Sequence, residues 1–146
     1  MKSQTGFEKQ KIRRAFLEIE QLKRARIQEV LLSLGLTPGH GQARTLMALL
    51  RLESASQKEL AVECLLDVTT MSRTLDRLQN MGLVERRRDP MSRRTFRVSL
   101  TEEGKKLAEK VTEEFSKIDE AICRGFIDEE LEELLSQLER VRENLR

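Results

Sequence analysis

The chain has 146 residues, 36% of them charged and 38% hydrophobic, enough for one compact soluble domain with a real core. Only 3% of it is aromatic, all five residues phenylalanine, so the core must be aliphatic, and a stacking platform for single-stranded nucleic acid is argued against. The net charge of +2 is unevenly spread: residues 69–97 carry eight arginines against Asp76, Glu85 and Asp89, whereas residues 98–146 carry eight basic and fourteen acidic side chains.

Met1 to Thr5 lead into a charged amphipathic helix rather than the apolar region of a signal peptide, and no apolar run approaches a membrane span. Cys64, Cys123 and the single His40 form no zinc or iron–sulfur ligand set, so no metal and no cofactor are expected, and the expected compartment is a reducing cytoplasm. From Phe7 to Leu34, apolar residues at Ile12, Phe16, Ile19, Ile27, Val30 and Leu34 predict one helix buried along one stripe, stopped by Gly35. Thr37-Pro38 reads as an N-cap followed by proline at the first helical position, starting a second helix that runs to about Leu52. Ser56-Gln57-Lys58-Glu59 is a capping box that opens a third helix ending near Cys64. Asp67 then caps a fourth helix with the stripe Met71, Leu75, Leu78, ended by Gly82.

Leu83–Arg88 and Thr95–Leu100 read as two strands joined by a hairpin loop at Asp89-Pro90-Met91-Ser92. In the second, Phe96, Val98 and Leu100 form the face expected to be buried, with Arg97 outward. Thr101 caps a fifth helix with the stripe Leu107, Val111, Phe115, Ile118, Ile122. Asp128 is read as the cap of a sixth, whose stripe is Leu131, Leu134, Leu135, Leu138, Val141, Leu145.

Helix, helix, tight turn, helix, two-stranded hairpin is the order of a winged helix-turn-helix, whose second helix of the pair enters the DNA major groove. At 100° per residue the fourth helix buries Met71, Leu75 and Leu78 and turns Thr69, Thr70, Arg73, Asp76 and Arg77 to the other side. Arg73 and Arg77 can grip guanine edges or phosphates, and Thr69 and Thr70 can touch thymine methyls or the backbone; Ser72 joins them as a candidate contact. A solvated charged face would be the ordinary reading of one such helix. Arg86, Arg87, Arg88, Arg93, Arg94 and Arg97 crowd the adjoining hairpin, and self-repulsion on that scale makes sense when an anionic polymer neutralises it. The candidate DNA contacts are therefore Thr69, Thr70, Ser72, Arg73, Arg77, Arg86, Arg88, Arg93 and Arg94. The competing reading is a winged-helix interaction module binding an acidic partner. Catalysis is disfavoured, since no Ser/His/Asp or Cys/His set, glycine-rich phosphate loop or His-Glu-x-x-His motif occurs.

The run Ser56-Gln57-Lys58-Glu59-Leu60-Ala61, then Arg73, Leu75-Asp76-Arg77-Leu78, Gly82-Leu83-Val84-Glu85-Arg86, Asp89-Pro90, Arg93-Arg94 and Leu100-Thr101-Glu102-Glu103-Gly104 resembles the multiple-antibiotic-resistance-regulator (MarR) family. Leu36-Thr37-Pro38 and Ile127-Asp128-Glu129-Glu130-Leu131 are similar to the starts of that family's second and last helices, so the resemblance covers nearly the whole chain. It implies a mainly α fold with a small β-hairpin wing: a winged helix-turn-helix over residues 35–100, and a helical dimerisation region from residues 1–34 and 101–146. It further implies a homodimer on a palindromic double-stranded DNA operator, acting as a repressor and released by a small-molecule effector, such as a phenolic or other amphipathic compound. His40 is a candidate pocket or hinge residue, though a solvent-exposed residue at a helix start is the plainer reading. Two departures from the family pattern stand out. Ser92 occupies a position that is usually acidic, which leaves Arg94 either oriented by Asp89 or more mobile, and Leu65 replaces a frequent glycine in the turn. Cys64 and Cys123 are read as buried structural thiols rather than oxidant sensors.

Overall fold

The computed structural model describes residues 6–39 and 41–146, and the Arg93 side chain also lies outside the described set. The expectations for Met1–Thr5, His40 and the Arg93 side chain therefore fall outside it. Among the described residues, six helices and three strands follow in the order α1 Gln10–Ser33, α2 Gln42–Leu52, β1 Ser54–Ser56, α3 Gln57–Glu63, α4 Val68–Asn80, β2 Val84–Asp89, β3 Ser92–Leu100, α5 Glu102–Cys123 and α6 Asp128–Asn144. The fold is thus mainly α with a small antiparallel sheet, its strands ordered β1-β3-β2.

The caps written into the sequence form as local chemistry requires. The Glu59 N–H donates to Ser56 Oγ at 3.1 Å while the Ser56 N–H donates back to Glu59 Oε2 at 3.4 Å, completing the box that opens α3. The Thr101 hydroxyl accepts from the Gly104 N–H at 3.0 Å and donates to the Gly82 carbonyl at 2.6 Å, tying the start of α5 to the end of α4.

The first helix begins at Gln10 rather than at Phe7, and two further helix starts differ from expectation. The second helix begins at Gln42, not after Thr37, because Gly39 and Gly41 take φ of 86° and 70° and interrupt any helix between them. Thr37 instead donates its N–H to Gln42 Oε1 at 3.1 Å. At Gly41 that φ disfavours a side chain, and an added Cβ would also have to push aside Leu66 Cδ1, which lies 2.5 Å from where it would stand. Asp128 is the first residue of α6 rather than its cap: the chain enters through Ile127, whose N–H donates to Glu130 Oε1 at 3.1 Å.

One core runs through the winged part and into α5. It joins Leu31 of α1, Leu46 and Leu49 of α2, Leu60 of α3, Met71, Leu75 and Leu78 of α4, Val98 of β3, and Ala108 and Val111 of α5, all buried. Gly104 allows α5 to sit directly on the chain leading into β2, since a Cβ there would lie 1.9 Å from the Leu83 carbonyl oxygen.

The stripes of the long helices are only partly covered. In α1, Leu31 is buried, but Ile12, Phe16 and Ile19 are exposed, so burial is confined to the C-terminal half. In α5, Ile118 is buried and Ile122 exposed, and α6 buries none of its described residues, leaving Leu134, Leu135 and Leu138 in the open.

The turn between α3 and α4 holds Leu65 at φ 55°, in the left-handed region that costs a side-chain-bearing residue on the order of 1–2 kcal/mol. Because Leu65 is almost wholly exposed, it recovers little of this by packing. Leu65→Gly is expected to raise stability by about 1 kcal/mol, read as a shift of the urea midpoint at constant m.

Candidate nucleic-acid interface

The helix α4 is set by its cap. Asp67 Oδ1 accepts from the Thr70 N–H and Oδ2 from the Thr70 hydroxyl, both at 2.7 Å. These bonds, the backbone one foremost, hold the Asp67 carboxyl below its ordinary value of 3.8. A lowered carboxylate stabilises the fold fully above its unfolded value and loses that contribution as pH falls through the folded one. Asp67→Ala is therefore expected to melt below the parent at neutral pH, with the gap narrowing as pH is taken under 3.8, followed by circular dichroism.

With Met71, Thr74, Leu75 and Leu78 turned inward, the outward face of α4 carries Thr69, Arg73, Asp76 and Arg77, all exposed. Thr70 is half-buried, and its hydroxyl is engaged in the cap. Ser72, also half-buried, offers its carbonyl to the wing.

The hairpin pairs Val84 with Leu100, Arg86 with Val98 and Arg88 with Phe96, so these three pairs share a face. At its base Val98 and Leu100 are buried as expected, but Phe96 is exposed, because the strands outrun the core at that point. The Phe96 ring lies under the Arg88 guanidinium, 5.9 Å from its centroid, in a cation–π contact.

The hairpin arginines whose side chains are described fall into different states. Arg86 is mostly buried: its Nη1 donates to Asp76 Oδ1 at 2.7 Å and its Nη2 to the Ser72 carbonyl at 3.2 Å, fastening the wing to α4. Arg97, expected to point outward, is instead half-buried, with Nη2 donating to the Ser54 carbonyl at 3.1 Å and to Ser54 Oγ at 3.0 Å. It also faces Glu59 of the capping box at 3.6 Å, so it binds the wing to β1 and α3. Arg87 pairs with Glu85 at the surface. Among the described residues, Arg73, Arg77, Arg88 and Arg94 face no carboxylate in an ion pair. Asp89 does not orient Arg94; its Oδ1 accepts from the Met91 N–H at 2.9 Å.

Two features here were not read from the sequence. The strand β1, three residues long, pairs Ser54, Ala55 and Ser56 with Ser99, Val98 and Arg97, and it is too short to show a period. Arg97 carried a fixing role that only its partner Ser54, 43 positions earlier, reveals.

Cys64 is buried, and burial pushes its thiol above the ordinary cysteine value, so the reactive thiolate is disfavoured. Its carbonyl accepts from Arg44 Nη1 at 2.8 Å, which braces α2 against the turn. Cys123 is half-buried. Among the described residues no group of three or more His, Cys, Asp or Glu side chains is placed to hold a metal ion. No helix among them is long and apolar enough to cross a membrane.

A helix-turn-helix followed by a two-stranded wing, with uncompensated arginines on both, defines a winged-helix regulator. A MarR-family profile matches residues 34–95. The chain is 31% identical to a MarR transcriptional regulator from Methanosarcina mazei Go1, over 93% of this chain and 96% of that one, with a TM-score of 0.75. It belongs to the MarR family of transcriptional regulators. A mutant MarR from E. coli, solved in complex with operator DNA, is 25% identical over 88% of this chain and 91% of that one, with a TM-score of 0.75. The regulator SlyA shares the fold, with a TM-score of 0.77 at 24% identity over 90% of this chain and 93% of that one.

Proposed function

We propose that this chain is a homodimeric, sequence-specific DNA-binding repressor, with α4 in the major groove and the wing beside it, released by a small-molecule effector. The observation that carries the reading is the sorting of arginines. Arg86, Arg87 and Arg97 are neutralised within the fold, whereas Arg73 and Arg77 on α4, and Arg88 and Arg94 on the wing, keep their charge for something outside. A fold that fixes some arginines with carboxylates and leaves others on one helix and one hairpin suits a polyanion with a groove. Thr69, Thr70, Ser72 and Arg93 complete the contact set, and Arg86 serves it by holding the wing against α4. That the similar E. coli MarR was solved in complex with operator DNA supports DNA as the partner.

Dimerisation is supported by the exposed stripes of Ile12, Phe16 and Ile19 on α1 and of Leu134, Leu135 and Leu138 on α6. These residues belong to the region 1–34 and 101–146, outside the winged part at 35–100. Two-fold symmetry would then match a palindrome with half-sites about one helical turn apart. A cleft of about 550 Å³ between α1, the start of α2 and α5, with Ile27, Leu31, Phe115 and Gln42 in its lining, is the candidate effector site. An occupant there would press on the joint between α2 and the long helices.

Selection of bound duplexes from a random pool tests this reading. A palindrome of two half-sites, weakened by an amphipathic phenol or carboxylate that binds the cleft, is the expected result. Recovery of no preferred sequence contradicts it, and a single half-site contradicts the dimer.

A further inference from the structure

The uncompensated arginines account for attraction to phosphate, but they leave the tip of the wing unexplained. Pairing of β2 with β3 runs out to Asp89 opposite Ser92, so the hairpin closes on Pro90 and Met91 alone. Met91 is 92% exposed, the most exposed of the large hydrophobic side chains among the described residues. Its backbone is held in place: Asp89 Oδ1 accepts the Met91 N–H at 2.9 Å, and the preceding residue is proline with its restricted φ, while within β3 the Thr95 hydroxyl donates to Ser92 Oγ at 3.2 Å, where the strand register shifts. One residue further down, Phe96 is also exposed, its ring beneath Arg88.

A scattered surface methionine needs no explanation. A methionine at the far end of a two-residue turn, in a hairpin that carries six arginines, is differently placed, because the flanking charges bring this tip to the polyanion. Apolar side chains presented to the minor groove act as wedges that partly unstack a base step and kink the duplex. The unbranched, polarizable methionine side chain adapts to such an irregular gap. Unstacking is easiest at pyrimidine–purine steps, TA and CA/TG, which are the most deformable.

We propose that Met91 is an apolar wedge at the wing tip, entering the minor groove beside each half-site and conferring a preference for a pyrimidine–purine step there. This rests on the DNA reading above and adds to it a specificity determinant that carries no charge.

The test uses the full chain and duplexes selected by it from a random pool, then remade with the flanking TA or CA step replaced by AA. The parent is expected to bind the stepped duplex about tenfold more tightly than the AA duplex. Met91→Ala and Met91→Lys should lose that ratio, while Met91→Leu keeps most of it. Because the wedge releases no counterions, Met91→Ala should leave the slope of log affinity against log salt unchanged. Met91 is exposed, so these variants should fold as the parent does, which circular dichroism checks. Equal ratios for the parent and Met91→Ala overturn the proposal, as does a parent that selects a half-site but is indifferent to the flanking step. In both cases the DNA reading still stands. A parent that selects no duplex overturns the DNA reading itself.

Discussion

Gly104→Ala is expected to cost about 3 kcal/mol of folding stability, lowering the melting temperature on the order of 10 °C. The added Cβ would fall 1.9 Å from the Leu83 carbonyl oxygen and 2.9 Å from its carbon. Both are backbone atoms, so no rotamer change can relieve the overlap. The Leu83 carbonyl also accepts the Thr101 N–H at 3.0 Å, so moving it breaks the bond that leads into α5. Either α5 lifts from the core, uncovering Ala108 and Val111, or the start of β2 moves and carries the wing with it. Thermal unfolding by circular dichroism measures the first consequence. The second appears as a loss of DNA affinity larger than the fraction unfolded accounts for. By contrast Gly35, whose added Cβ would meet nothing within 4 Å, has only its φ of 74° against substitution, and Gly35→Ala should cost less.

Arg73→Ala and Arg94→Ala are expected to weaken DNA binding in different ways. Arg73 stands on the exposed face of α4, where a guanidinium can grip a guanine edge through two hydrogen bonds. Its loss should cost about 1–3 kcal/mol on the selected duplex, roughly fivefold to 150-fold, and far less on unrelated DNA. Arg94, exposed near the wing tip, is placed for phosphate or the negative minor groove. Its loss should weaken binding to all sequences about equally and make the salt slope shallower by about one unit per subunit. Arg86→Ala is a third case: its removal leaves Asp76 without its partner and frees the wing from α4, so binding should fall although Arg86 is mostly buried. Parallel titrations on selected and unrelated duplexes separate the three. An acidic protein partner in place of DNA predicts none of this sequence dependence.

The parts of this fold that were legible in the sequence are those decided within a few residues. The box at Ser56 and Glu59, the caps at Asp67 and Thr101 and the stop at Gly82 each close through near neighbours, and all form as read. Thr37-Pro38 carries an equally local signal and misleads, because glycines at 39 and 41 with positive φ outweigh it and delay α2 to Gln42. Alternation in β3 gave the right parity for Val98 and Leu100, but it could not show that the core ends before Phe96. The division of the arginines was the least legible feature. Arg73 and Arg86 are chemically identical in the sequence; only the fold brings Asp76 and the Ser72 carbonyl to one of them and leaves the other open. Charge counting pointed to the candidate interface, and packing decides which charges would be available to it.

The central claim is that the uncompensated arginines of α4 and the wing bind DNA phosphates from two subunits at once. Its most direct test is the affinity for a selected duplex measured across a range of salt. With about three to four phosphates neutralised per subunit, log affinity should fall against log salt with a slope of roughly −5 to −7 per dimer. A slope near zero, or one that Arg94→Ala leaves untouched, would contradict it.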